Sequence, residues 1–123
     1  MQTEATIENK LGASLQVKGD VSLTGNVTNN ADMTVEEGSV LSLTQPLDGN
    51  GTLYMNDSIL NVSSSFKTEN SLVSHNMILG DSVQEISVAD FEVSSNSQFD
   101  LGTVQMTLNQ LSLGEGSTIS VTL

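Results

Sequence analysis

The sequence predicts an all-β chain, a right-handed parallel β-helix (β-solenoid) of about six coils with three short strands each. Three observations predict it. Apolar-x-apolar triplets recur along the chain with the two-residue period of half-buried strands, as in Leu15-x-Val17, Val21-x-Leu23 and Leu41-x-Leu43. Every third triplet falls 17 to 22 residues after its predecessor. Turn-forming residues recur between the triplets at nearly the same interval.

The strand series come first. One begins at Leu15, Met33, Leu53, Leu72, Phe91 and Leu111. A second begins at Val21, Leu41, Leu60, Met77, Phe99 and Ile119, and a third at Val27, Leu47, Phe66, Ile86 and Met106. Each series is expected to stack into an inward column, one member per coil, with neighbouring strands about 4.8 Å apart. Within each triplet the middle residue points out. Gln16, Ser22, Thr34, Ser42, Tyr54, Asn61, Glu92 and Ser112 are therefore expected on the surface.

The corners follow. Asn30, Asn50, Asn70, Asp90 and Asn109 precede the Leu15-series strands and are expected to line one corner, bonding neighbouring backbone and one another. Asp20, Ser39, Ser58, Asn76, Ser97 and Ser117 recur before the Val21-series strands. Residues 1–12 show no such pattern and are expected as a tail or cap. Residues 13–123 form the repeat, which stops within its sixth coil without a capping element, as a stretch of a longer solenoid would. An antiparallel β-sandwich is the alternative fold. It calls for turns every 8–12 residues or so and tight hairpin pairs, of which Asn50-Gly51 is the one example.

Composition narrows the function. The chain has 123 residues, 15 acids against three lysines and no arginine, for a net charge of −12. Such a chain repels nucleic-acid phosphates and anionic membranes, so neither nucleic-acid binding nor membrane insertion is expected. With no cysteine there is neither a thiolate nucleophile nor a disulfide framework. No apolar run approaches the ~18 residues of a membrane span. The opening Met1-Gln2-Thr3-Glu4 lacks the basic and apolar regions of a signal peptide, as the start of a mature or excised segment would.

The chemistry-bearing residues are dispersed. His75 is the one histidine, in a stretch expected to form a corner, and has no second histidine with which to hold zinc. Acid pairs occur at Glu36-Glu37, Asp81 with Glu85, and Asp90 with Glu92. The last two share a strand face and could in principle serve glycoside hydrolysis or hold calcium; as surface acids they keep sheet edges soluble. Gly114-Glu115-Gly116 reads as a turn, not a phosphate loop. Asn26, Asn50, Asn56 and Asn61 each open an N-x-S/T sequon, as a Ser/Asn-rich composition produces. No catalytic, cofactor-binding or metal residue is assigned, no cofactor is expected, and the chain is expected not to be an enzyme.

The stretch Gly38-Ser39-Val40-Leu41-Ser42-Leu43, then Asp48-Gly49-Asn50-Gly51-Thr52-Leu53-Tyr54-Met55, then Ser58-Ile59-Leu60-Asn61-Val62 resembles bacterial surface β-helices. It is similar to autotransporter passenger regions and related adhesins, whose coils read G-x-x-L-x-L, L-x-G-x-G-T-L and S-x-L-N-V. The resemblance covers residues 13–123 as a pattern of coil geometry. It implies a non-enzymatic stalk or binding surface, secreted or at the cell surface, with a host or surface glycan or protein as partner. Self-association through the open C-terminal coil is a further expected contact. The alternatives are a carbohydrate-binding or carbohydrate-active β-helix, for which Tyr54 is the outward aromatic, and an intracellular self-assembling filament protein of the bactofilin type.

Overall fold

A computed structural model describes residues 1–122. It is a β-solenoid of about six turns, without helices, and every strand pairing among the described residues is parallel. The first coil holds β1 (Gln2–Thr3), β2 (Ile7–Asn9) and β3 (Ser14–Val17), and the second β4 (Asp20–Leu23), β5 (Val27–Asn29) and β6 (Asp32–Val35). The third holds β7 (Val40–Leu43), β8 (Leu47–Asp48) and β9 (Thr52–Asn56), and the fourth β10 (Ile59–Val62), β11 (Ser65–Lys67) and β12 (Ser71–His75). Then come β13 (Ile78–Leu79), β14 (Glu85–Ser87) and β15 (Asp90–Val93), followed by β16 (Gln98–Gly102), β17 (Gln105–Thr107) and β18 (Gln110–Leu113). The strand β19 (Thr118–Val121) begins one more turn.

The Leu15 face is one continuous sheet, β3-β6-β9-β12-β15-β18. Its register places Leu15, Met33, Leu53, Leu72, Phe91 and Leu111 in one column, as the spacing predicts. The four central members are at most 1% exposed. Thr34, Tyr54, Val73 and Glu92 lie in register on the other side of the same strands. No coil could bury such a set alone; each closes over the next.

The other two faces depart from the predicted columns. On the Val21 face the register runs Val21, Leu41, Leu60, and then Leu79, where Met77 was expected. Met77 is buried, at 2% exposure, but stands at the corner that Ser58 occupies one coil before. The sheet β1-β4-β7-β10-β13 stops at the two-residue strand β13, and β16-β19 pair separately, with Phe99 opposite Ile119. On the Val27 face, β2-β5-β8 and β11-β14-β17 are separate sheets, joined by a bridge between Leu47 and Thr68. Leu47 therefore stands opposite Thr68 and not Phe66, although Phe66, Ile86 and Met106 do align. The strand at fault, β8, is two residues long and follows Pro46, which has no N–H for a ladder.

Residues 1–12, expected outside the repeat, supply two strands of the first coil. Gln2 and Thr3 pair with Ser22 and Leu23, and Ile7 pairs with Val27. Ile7 precedes Val27 by 20 residues and so heads its column.

The corner leading into the Val21 face carries a left-handed residue in every coil: Gly19, Gly38, Asp57, Asn76, Asn96 and Gly116, with φ from 43° to 82°. Asp57, Asn76 and Asn96 are the positive-φ residues other than glycine among those described. Glycine, and next to it asparagine and aspartate, occupies this conformation at least cost, because a Cβ there crowds the following carbonyl. Replacing Asn96 by valine should therefore destabilise the fold by about 1 kcal/mol, whereas Asn96→Gly should melt within a few tenths of a kcal/mol of the parent. Denaturant melts of both variants check this.

The opposite corner holds a buried amide ladder, but one residue out of phase with the predicted one. Asn9, Asn29 and Asn70 are 6%, 0% and 0% exposed. Asn9 Nδ2 donates to Asn29 Oδ1 at 2.8 Å, and Asn29 Nδ2 donates to Asn70 Oδ1 at 2.9 Å. The coil between Asn29 and Asn70 has Gly49 at this place, at φ 93°, and the Asn70 amide reaches across it to the carbonyls of Asp48 and Gly49, both at 3.1 Å. A side chain on residue 49 would collide with the Asn29 backbone. Of the predicted residues, Asn70 belongs to the ladder. Asn30 lies outside it, its Oδ1 accepting the Asn50 N–H at 3.2 Å, and Asn50, Asp90 and Asn109 are exposed.

Candidate functional site

The outer side of the Leu15 face gathers the most chemistry. Asp90 and Glu92 lie two apart on β15, both exposed on that side, as their spacing predicts. Glu92 stands in the same outward row as Tyr54, with Val73 between them, so the two are about 10 Å apart at two strand spacings. This is an open sheet surface on which both carboxylates face water. The two carboxylates line a shallow depression of this sheet with Ser71, Val73, Gln110 and Ser112; glycoside hydrolysis would need one carboxyl held protonated beside a leaving group and the other aimed across the bond.

The remaining candidates stand apart. Glu36 and Glu37 sit in the corner before β7, and neither is in an ion pair among the described residues. Asp81 is exposed in the turn after β13, while Glu85 on β14 lies 3.9 Å from Lys67 Nζ on the neighbouring strand. Lys67 also lines a shallow groove on the Val27 face, together with Leu47, Asp48, Gly49, Thr68, Glu69 and Ser87. The groove follows from the break between β8 and β11, and its lining includes no aromatic residue. His75 ends β12 beside the corner residue Asn76, and its Nε2 lies 4.0 Å from Asp57 Oδ2 one coil away. The two lysine–carboxylate pairs among the described residues, the second being Lys10 with Glu8 at 3.7 Å, are open to solvent and contribute little to stability.

Among the described residues no three side chains of the metal-ligating types converge. No family model, curated protein or solved structure matches the chain. Its reading therefore rests on its own geometry.

Two features escaped the sequence reading. Val40, Ile59 and Ile78 align on the outer side of the Val21 face, with Ile78 61% exposed. Alternation around the inward Leu41 and Leu60 would have placed Val40 and Ile59 there; Ile78 was hidden by the misplaced register of Met77. The second is the Ser58 hydroxyl, buried with no hydrogen-bond partner. One coil before it, Ser39 Oγ accepts the Gly19 N–H at 2.9 Å, whereas one coil after it stands Met77, whose side chain offers no comparable partner.

Proposed function

We propose that this chain is a non-enzymatic structural segment, a rigid stalk or binding surface of a secreted or surface-exposed protein of the bacterial adhesin type. One observation carries the reading. The Leu15 sheet runs unbroken through all six coils, while the acids, the histidine and the tyrosine are distributed over three faces and several corners. A continuous ladder with inward columns transmits force and sets spacing; dispersed, solvated side chains do not assemble a reaction centre. The resemblance of its coils to passenger repeats supports the surface location. The expected result is that the purified chain turns over no polysaccharide in a panel of plant, bacterial and host glycans. Turnover that disappears in both Asp90→Asn and Glu92→Gln would overturn the reading.

A second reading, glycan binding without turnover, is favoured by the placement of Tyr54, Asp90 and Glu92 on one side of one sheet. The half-exposed Tyr54 ring can stack on a sugar while the acids accept hydrogen bonds from its hydroxyls. A glycan array with the parent and Tyr54→Ala separates the two: retention that depends on Tyr54 selects the binding surface, and no retention selects the stalk.

A further inference from the structure

The middle of the Leu15 face is a neutral strip bounded by acids. Thr52, Tyr54 and Asn56 project outward from β9, and Ser71, Val73 and His75 stand in register with them on β12. All six are half-buried, so hydroxyl, amide and imidazole groups surround one phenol ring close to the sheet. On one side of the strip the next outward residues are Asp32, opposite Thr52, and Thr34, opposite Tyr54. On the other side Glu92 stands opposite Val73, with Asp90 two residues before it. Asp32, Asp90 and Glu92 are exposed. Asp32 and Asp90 belong to one row and lie three strand spacings apart, about 14 Å. No lysine shares this strip: Lys10 and Lys18 lie beyond the two ends of β3, and Lys67 is on β11, on another face.

Shape and charge together choose the occupant. The strands β9 and β12 are paired on both sides, so they offer no edge to an added peptide strand, and an open sheet surface offers no groove to a helix. A pyranose ring, in contrast, can lay its apolar face on an aromatic ring while its hydroxyls reach short polar side chains. Charge then selects among sugars. A chain of net charge −12 repels sulfated, sialylated and uronic polymers. Carboxylates on both sides of the strip favour a cationic ligand, and the cation a sugar polymer can carry is a protonated amino group. The span from Asp32 to Asp90, about 14 Å, is about the length of three pyranose units.

We infer that this face binds a polymer of amino sugars with free amino groups, laid along the solenoid axis across β6, β9, β12 and β15. This deepens the glycan-binding reading and rests on it. Tyr54 stacks on a central ring, Thr52 and Ser71 meet its hydroxyls, and Asp32 and Asp90 hold protonated amines to either side.

Calorimetric titration at pH 6 tests this with a glucosamine hexamer, its N-acetylated counterpart, which has the same rings without the charge, and an oligolysine of equal charge. The glucosamine hexamer should bind about tenfold more tightly than either. Asp32→Asn/Asp90→Asn should weaken it about tenfold and Tyr54→Ala about fivefold, while Tyr54→Phe, which keeps the ring, should stay within about twofold. Asp81→Asn/Asp100→Asn, the same change of charge away from this face, should also stay within about twofold. Circular dichroism of each variant establishes that the sheet is retained. Equal weakening by the two charge pairs (a non-specific attraction), oligolysine binding as tightly as the sugar, or no binding of the glucosamine hexamer would each overturn the inference. Tyr54-dependent binding of the acetylated hexamer at the same affinity would overturn the choice of amino sugars and leave the glycan-binding reading in place, whereas binding of neither hexamer would overturn both.

Discussion

Phe91→Ala should lower the unfolding free energy by about 3–5 kcal/mol, the largest single effect expected in this chain. Phe91 is 1% exposed in the central column of the continuous sheet, between Leu72 and Leu111. Its ring meets that of Phe99 edge to face, with centroids 5.0 Å apart at 67°. Truncation removes the ring's burial, the aromatic contact and the packing of two neighbouring coils at once, and a coil is too thin to collapse around the void. The control is Glu92→Ala, next in the same strand but outward and exposed, which should stay within about 0.5 kcal/mol of the parent. Urea melts at one protein concentration and one salt measure both. Equal midpoints for the two variants would mean that alternate residues of β15 do not face opposite sides.

Asn70→Ala should cost about 1–3 kcal/mol, while Asn50→Ala should cost less than about 0.5 kcal/mol. The Asn70 amide donates to the Asp48 and Gly49 carbonyls at 3.1 Å and to Thr68 Oγ1 at 3.0 Å, and its Oδ1 accepts from Asn29. Alanine leaves buried carbonyls and the Asn29 donor without these partners, and water has no easy way in at a position that is 0% exposed. Asn50 is exposed and takes part in the corner through its backbone N–H, which alanine keeps. Asn29→Ala should match Asn70→Ala, because it breaks the same chain of amides from the other side. A larger loss at Asn50 than at Asn70 would show that the corner is held in the other phase.

These contrasts show where the sequence was legible. Strand existence, the parallel stack and the Leu15 column follow from a repeat of apolar pairs, since a period of two within strands and about 20 between them has few other solutions. The phase of the amide ladder was also readable, though it was misread at Asn30: Asn29 lies two residues after the inward Val27 and must share its face. Leu79 likewise restores spacings of 19, 20 and 20 from Leu60 to Phe99 and Ile119, where Met77 gave an irregular pair. The break between β8 and β11 is another matter. It goes with the two-residue β8 behind Pro46, and the pattern of apolar residues, which put Leu47 in line with Phe66, holds no measure of that. The candidate surface was legible only as alternation, which placed Tyr54 and Glu92 outward but said nothing of their sharing a row two strands apart.

The central claim is that residues about 20 apart in sequence are neighbours in a parallel stack. Backbone nuclear Overhauser contacts in the isotopically labelled chain test it most directly. Tyr54 should show cross-strand contacts to the neighbourhoods of both Thr34 and Val73 in the slanted pattern of parallel strands, and Ser42 should show them to Ser22 and Asn61. Contacts between Leu41 and Leu53 in the paired pattern of an antiparallel hairpin, with none from Tyr54 to Val73, would contradict the solenoid and everything built on it.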